Sequence, residues 1–455
     1  MKRIRIAAGS AWSRDRFEPG ADLIARGDID YLCFDAMSEV TQSIAQVARL
    51  NDPRIPPYDP LLRKRIAPIL KAAKERGVRI ITNGGWMDPA AAAEEIIRIA
   101  EELGVTDLKV ASVSGSDITD RVRDLGLNFV ESDKPVADLR DKIISAEVYL
   151  GAEGIIQALA QGADIIVTSR VGDACPYMAA MAHEFGWSID DHHNIAKGMI
   201  IGHLLECGAQ VTGGCFADPG YKDVPDIANL SNPIVEVTED RVVISKLPGT
   251  GGVVSEATCK EQLLYEVQDP ARYYCPDVIA DMTKVRFRQI AENEVEVLID
   301  DAGLPKSPTY KALVGIMEGY MAEEMVLFAG PGAMNRAELT KRLLEERFAR
   351  HSSQPTEVRM DFIGINSVHR ESTPHVVDDP YEVVLRVAIK ADTKEVVDTL
   401  GTEVDPLAVN GVAGIGKWGT FSPGARTRAI VGLNSVLVPR EVVPFEVRYL
   451  ECAGG

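Results

Sequence analysis

No part of the sequence approaches the roughly 18 consecutive apolar residues that a bilayer-spanning helix needs. The basic start, Met1-Lys2-Arg3-Ile4-Arg5-Ile6, loses its apolar character by Ser13-Arg14-Asp15, too soon for the core of a secretory signal. Cysteine is scarce: the seven residues Cys33, Cys175, Cys207, Cys215, Cys259, Cys275 and Cys452 are scattered and include no C-x-x-C pair. That argues against a disulfide framework or a thiolate zinc site and fits a reducing, cytoplasmic setting. Positive charge is also short, with 49 Lys and Arg against 68 Asp and Glu and a formal net charge of −19. A field of that sign repels phosphate backbones and anionic lipid heads, so neither nucleic acid nor a membrane surface is expected as a partner. An anionic small-molecule substrate would need a locally positive or amide-lined pocket set against that field. Internal repeats, charge blocks and flexible linkers are absent, and 38 Gly with 25 Pro in 455 residues excludes a collagenous or low-complexity chain.

What is present is an ordinary globular composition, 46% hydrophobic and 26% charged, long enough for two or three domains. Short apolar runs at residues 4–8, 30–34, 78–81, 108–113 and 164–167 each end in small or polar residues. Such near-continuous runs suit strands of a parallel sheet covered on both faces. Helical patterns lie between them. Residues 89–103 carry an apolar face, with Asp88 as N-cap, Pro89 at the first position and Gly104 just past the end. Residues 60–76 repeat the pattern around an interior Pro68, which weakens one continuous helix. Residues 1–213 therefore predict a doubly wound α/β domain with a mostly parallel sheet. Beyond Gly213 the texture changes to period-two runs at 233–237 and 242–246, then to an expected antiparallel pair at 282–287 with 294–299 and a further one at 310–317 with 324–328. Residues 214–455 predict an α+β domain with antiparallel strands, completing a crevice with the first.

In a doubly wound sheet, ligands gather beyond the carboxyl ends of the strands. Ser10, Asp35, Asn83, Gly84, Gly85, Ser114, Gly115, Ser169, Arg170 and Asp173 occupy those ends. Individually they also suit ordinary turns; together they predict the lining of one crevice. Arg170 offers a planar fork for a carboxylate or phosphate, and the alternative is a local ion pair with Asp173 that pins the loop. Lys246, Gly249, Thr250, Gly251 and Gly252 lie between a predicted strand and a helix starting near Ser255. Exposed amides there would favour an anion, and the alternative is a tight structural turn. Glu206, at a helix end, would serve as an acid or base if buried.

Two motifs are rejected. Residues 414–419 match G-x-G-x-x-G by letter, but Thr420-Phe421-Ser422-Pro423-Gly424 cannot open the required helix. Residues 411–417 mimic a phosphate loop, yet Trp418 stands where a hydroxyl is needed; the segment reads as a loop. No local metal motif, redox fingerprint or nucleophile elbow occurs, so no cofactor is expected; a metal assembled from distant carboxylates stays open as an alternative.

Several segments together resemble one family. They are Asp30-Tyr31-Leu32-Cys33-Phe34-Asp35 with Glu39-Val40-Thr41, Thr82-Asn83-Gly84-Gly85, the stretch 204–214, and Phe216-Ala217-Asp218-Pro219 with Lys222-Asp223-Val224-Pro225. The stretches 246–252, 261–266 and 435–440 complete the match. The chain resembles the acyclic terpene utilisation (AtuA-like) family over nearly its whole length. The resemblance implies a place in bacterial catabolism of citronellol, geraniol and similar branched acids, which proceeds through acyl-CoA thioesters. Many such relatives carry or precede a small domain with an R-S-G-D-K-G-like motif, so a separate companion protein is an expected partner.

The combined reading is a catabolic enzyme acting on a small carboxylated or acyl-CoA-linked substrate by hydrolysis, hydration or carbon–carbon cleavage. Asp35, Asp173 or Glu206 would move protons, and Arg170 and the amides of 249–252 would hold the anionic group. Arg170→Ala is then expected to weaken substrate binding while the protein stays folded. The alternatives are a non-catalytic binding or scaffolding subunit of an acyl-CoA complex, or a nucleotide-binding protein. A homo-oligomer is expected.

Overall fold

The computed structural model describes residues 2–373, 379–417 and 427–452. The chain forms two compact units, one of Met1–Gly315 with Leu433–Gly455 and one of Ile316–Gly432. No helix among the described residues is long and apolar enough to cross a membrane.

The first unit is built on a ten-stranded mixed sheet. All five apolar runs of the N-terminal region are strands: β1 (Arg3–Ser10), β2 (Tyr31–Phe34), β3 (Arg79–Thr82), β4 (Leu108–Ser114) and, after β5 (Ile143–Val148), β6 (Ile165–Thr168). They run parallel in the order β1-β2-β3-β6-β4. Every residue of β2 and β6 is buried, as a sheet covered on both faces requires. The sheet then continues antiparallel on both sides. β7 (Pro233–Thr238) pairs with β1, and β8 (Val242–Lys246), Glu294–Ile299 and Val285–Ala291 follow outward. Glu446–Cys452 pairs antiparallel with β4 on the other edge. Position 213, where the texture of the sequence changes, thus falls inside the first unit. The change marks a switch from parallel to antiparallel pairing within one sheet.

Local chemistry explains the helices that cover it. The Asp88 carboxylate accepts from the Ala91 amide at 3.0 Å, and Gly104 closes the helix Pro89–Leu103 at φ 65°. Pro68 divides the next pattern into Leu62–Ile66 and Leu70–Arg76, because its missing N–H interrupts the ladder. Helix His192–Glu206 is apolar nearly all round and buried along most of its length. Gly198 and Gly202 let it approach the preceding helix, Cys175–Phe185. A Cβ at Gly202 would lie 2.6 Å from the Ala174 carbonyl oxygen.

In the second unit, Glu357–Ile363, Glu382–Ala391, part of Thr309–Ala329 and Ile415–Lys417 pair antiparallel. Helices Ala333–Phe348 and Lys394–Val404 contribute Leu344, Phe348, Val397 and Leu400 to its core. Two expectations change. The runs at 310–317 and 324–328 are one 21-residue strand, since Gly319, at φ 109°, is accommodated within the strand rather than forming a turn. The segment read as a loop begins as the strand Ile415–Lys417 against Val326-Leu327-Phe328, and residues 418–424 lie outside the described residues.

Candidate functional site

Because β1, β2, β3 and β6 are parallel, their carboxyl ends share one end of the sheet, and Asp35 and Arg170 emerge there. Asp35 follows β2 directly. It is 8% exposed, and its Oδ1 accepts from Asn83 Nδ2 at 2.7 Å and from the Met37 amide at 3.0 Å. Ser10, at the end of β1, donates its hydroxyl to the Asp35 carbonyl at 2.6 Å. Asn83 also accepts from the Ala36 amide at 2.6 Å. Ser10 and Asn83 therefore position Asp35 rather than face an open crevice.

Arg170, immediately beyond β6, is 2% exposed. Its Nη1 donates to the Met37 carbonyl at 3.0 Å, and its guanidinium lies 4.1 Å from the centre of the Tyr149 ring. Its Nη2 is 3.0 Å from Asp173 Oδ1, but that oxygen lacks a directed hydrogen bond among the described residues. The contact is an ion pair, and Asp173 Oδ1 keeps accepting capacity. Ser169 keeps a buried, unpartnered hydroxyl, while its amide joins Val113. The amides of Gly84 and Gly85 are engaged by Thr82 Oγ1 and the Thr168 carbonyl.

Glu206 enters from another direction, as the last residue of helix His192–Glu206, and is buried. Asp35, Asp173 and Glu206 each bring a carboxylate oxygen within 4.8 Å of the others. All four residues expected to be catalytic therefore belong to one neighbourhood. Burial is the main cause that raises the Asp35 pKa from 3.8 to about 7, against the lowering effects of Arg170, Asn83 and the Met37 amide. Burial likewise raises Asp173 well above the carboxylate range, Arg170 opposing it. Burial alone would lower Arg170, but Asp173, Tyr149, Asp35 and Glu147 reverse this and raise it, so it stays charged. Another buried acid, Glu147 on β5, is also raised well above its ordinary value by burial.

The glycine turn behaves differently. The amides of Gly251, Gly252 and Val253 donate to the carbonyls of Asn229, Pro225 and Thr212. Lys246 Nζ donates to the Thr250 carbonyl at 2.7 Å, and the Thr250 hydroxyl to the Leu247 carbonyl at 2.6 Å. These donors are engaged by the chain itself, and among the described residues no hydrogen bond or ion pair joins the turn to Arg170. A Cβ on Gly251 would lie 1.9 Å from the Asp226 carbonyl oxygen. Gly251→Ala is expected to lower the melting temperature by several degrees, because backbone must move, while activity per folded molecule stays unchanged; loss of activity at full stability would restore a binding role.

Residues that the sequence did not single out complete the neighbourhood. His203 sits one turn before Glu206, 1% exposed, with Nδ1 3.3 Å from Glu206 and 3.8 Å from Glu266. The H-x-x-E spacing on one helical face was the available signal; nothing local pointed to Glu266. Burial lowers the His203 pKa, but Glu206 and Glu266 outweigh it, for a net rise. His203, Glu206 and Glu266 form a second set of donors within 4.8 Å of one another, sharing Glu206 with the first. Either set has the donors of a cation site. The exposed side of the neighbourhood is acidic: Glu39 is exposed, and the side chains of Asp173 and Glu266 are 31% and 40% exposed. In the second unit, a cavity of about 30 Å³ beside Val326, Asp405, Leu407 and Lys417 has room for about one water and no metabolite.

No curated protein and no solved structure shows a significant match to the chain. Residues 4–449 match the family described as acyclic terpene utilisation family protein AtuA, and with nearly the whole chain covered, the protein belongs to that family.

Proposed function

We propose that this member of the acyclic terpene utilisation family is a catabolic enzyme for a small carboxylated or acyl-CoA-linked substrate, working by acid–base chemistry in a hydrolysis, hydration or carbon–carbon cleavage step. The observation that carries the reading is Asp35, a buried carboxyl oriented by Asn83 and the Met37 amide and poised near neutrality, at about 7, beside Asp173 and Glu206. Paired carboxyls whose environments shift their proton affinities are a recurring arrangement for general acid–base work. In this reading Asp35 takes the proton and Asp173, on the exposed side, returns it. In it Arg170, enclosed by Met37, Asp173 and Tyr149, tempers the negative charge of the acids rather than anchoring the substrate.

The test is turnover of branched acyl-CoA thioesters and their free acids by the purified protein across pH. With Asp35 as base, kcat/KM is expected to rise about tenfold per pH unit below about 7 and to level off above it. A flat profile would remove Asp35 from the proton transfer. The alternative, a binding or scaffolding subunit, is supported by the burial of Asp35 and Arg170. It would be selected by absence of turnover alone together with acceleration of a partner enzyme.

A further inference from the structure

We propose that His203, Glu206 and Glu266 bind one divalent first-row transition-metal ion, of the Mn²⁺, Fe²⁺ or Zn²⁺ kind, beside the Asp35–Asp173 pair. The central group is the imidazole. His203 Nε2 lies 3.2 Å from the Leu263 carbonyl, which can only accept, so this nitrogen carries the proton. In the neutral ring, which a metal reaches by displacing a proton, Nδ1 is the nitrogen with the lone pair; the ring is 1% exposed and Nδ1 has no directed hydrogen bond among the described residues. It faces two carboxylates, at 3.3 and 3.8 Å. Both are long for hydrogen bonds; bonds of about 2.1 Å place neighbouring ligands roughly 3.0–3.4 Å apart, which the Glu206 separation matches and the half-exposed Glu266 would reach by a shift of under about 1 Å.

The surroundings support a metal ligand. A ligating histidine usually donates its other N–H to a carbonyl or carboxylate, which fixes tautomer and ring orientation, and the Leu263 contact does this. The Tyr265 ring stacks at 6.4 Å and the Tyr273 ring tilts at 5.1 Å from the imidazole. Gln262 Nε2 donates to the His203 carbonyl at 2.8 Å. Cys207 Sγ lies 3.6 Å from Glu206 Oε1 as a weak donor, and Tyr265 OH engages that sulfur at 2.9 Å. His203 and Glu206 end a long helix, where the macrodipole favours positive charge. Half-exposed Glu266 and Tyr265 give an entry path.

The competing triad, Asp35, Asp173 and Glu206, suits an ion less well. Its Asp173 already pairs with Arg170 and its Asp35 oxygen already accepts from Asn83 and Met37. One imidazole with two carboxylates selects a transition ion over Mg²⁺ or Ca²⁺, which prefer all-oxygen shells. Such an ion would also supply the positive charge that the acidic mouth lacks for an anionic substrate.

The test needs no substrate, so it is independent of whether the proposed reaction is correct. The full chain, stripped with a chelator, is titrated with Mn²⁺ and with Zn²⁺ by calorimetry, and bound metal is counted. About one equivalent per chain is expected, with Mg²⁺ and Ca²⁺ far weaker. Pulsed EPR of the Mn²⁺ form should show one coordinated imidazole nitrogen. Glu266→Gln, at a half-exposed position, should weaken binding by at least about 10–100-fold while keeping the melting temperature of the stripped wild type; Asp35→Asn should bind as wild type does. No saturable binding of either ion, no nitrogen coupling, or a loss in Asp35→Asn equal to that in Glu266→Gln would each overturn the assignment. Should Glu266→Gln fail to fold, the EPR signature alone decides.

Discussion

Replacing Arg170 with methionine is expected to cost about 3–5 kcal/mol of stability near pH 8, the usual cost of removing one partner from a buried ion pair. The side chain is 2% exposed and makes three separate contacts, with the Met37 carbonyl, Asp173 and the Tyr149 ring. Methionine fills a similar length but returns none of these. Without the guanidinium, Asp35, Asp173 and Glu147 lose the charge that lowers the pKa of each. Their affinities for protons, already raised by burial, rise further. A folded state that holds protons more tightly than the unfolded chain loses stability as pH increases. The deficit should therefore be smaller near pH 5, where these acids are largely neutral, than near pH 8. Chemical denaturation of both proteins at the two pH values measures it. Wild-type stability at the higher pH would show that Arg170 does not balance this cluster. This differs from the sequence-based expectation that the variant stays folded, because a fork read as facing substrate is enclosed by protein.

Asp35→Asn should move activity and stability in opposite directions. Turnover is expected to fall by about 100- to 10,000-fold, the usual range for loss of a positioned base. Asparagine keeps an oxygen for Asn83 Nδ2 and for the Met37 amide, so the local structure survives. Stability follows the proton. An unfolded Asp35 ionises near 3.8, whereas the folded one holds its proton until about 7. Between those values the folded state binds more protons, so wild-type stability falls as pH rises through that window and is level beyond it. The variant lacks this decline. Its advantage should grow between about pH 4 and 7 to at most about 4 kcal/mol, since each tenfold gain in proton affinity is worth about 1.4 kcal/mol. Melting curves across pH test it; an Asn variant that is less stable at neutral pH would mean the carboxylate strengthens the fold. A residue that destabilises its own fold while serving chemistry fits the usual conflict at active sites.

The helix boundaries show how far local signals carry. Asp88, Gly104 and Pro68 act on their own backbone neighbours, so their effects could be read one residue at a time. The long strand Thr309–Ala329 could not, because Gly319 reads as a break until its place in the pairing is known. Glu266 and Tyr149 could not be assigned either, since no spacing links them to Asp35 or His203.

The sequence by itself determined the five buried parallel strands and, through their common direction, that Asp35, Asn83 and Arg170 would emerge at one end of the sheet. Continuous apolar runs and turn chemistry are local properties, and parallel strands align their ends without further information. Only the tertiary structure decided which of those groups stay available. It closed Arg170 onto Met37, Asp173 and Tyr149, and spent the Gly251 and Gly252 amides on Asn229 and Pro225. It also brought Glu206, His203 and Glu266 together from a helix end and a later segment. Occupancy of a donor or acceptor depends on partners distant in the chain, and those partners exist only after packing has placed them.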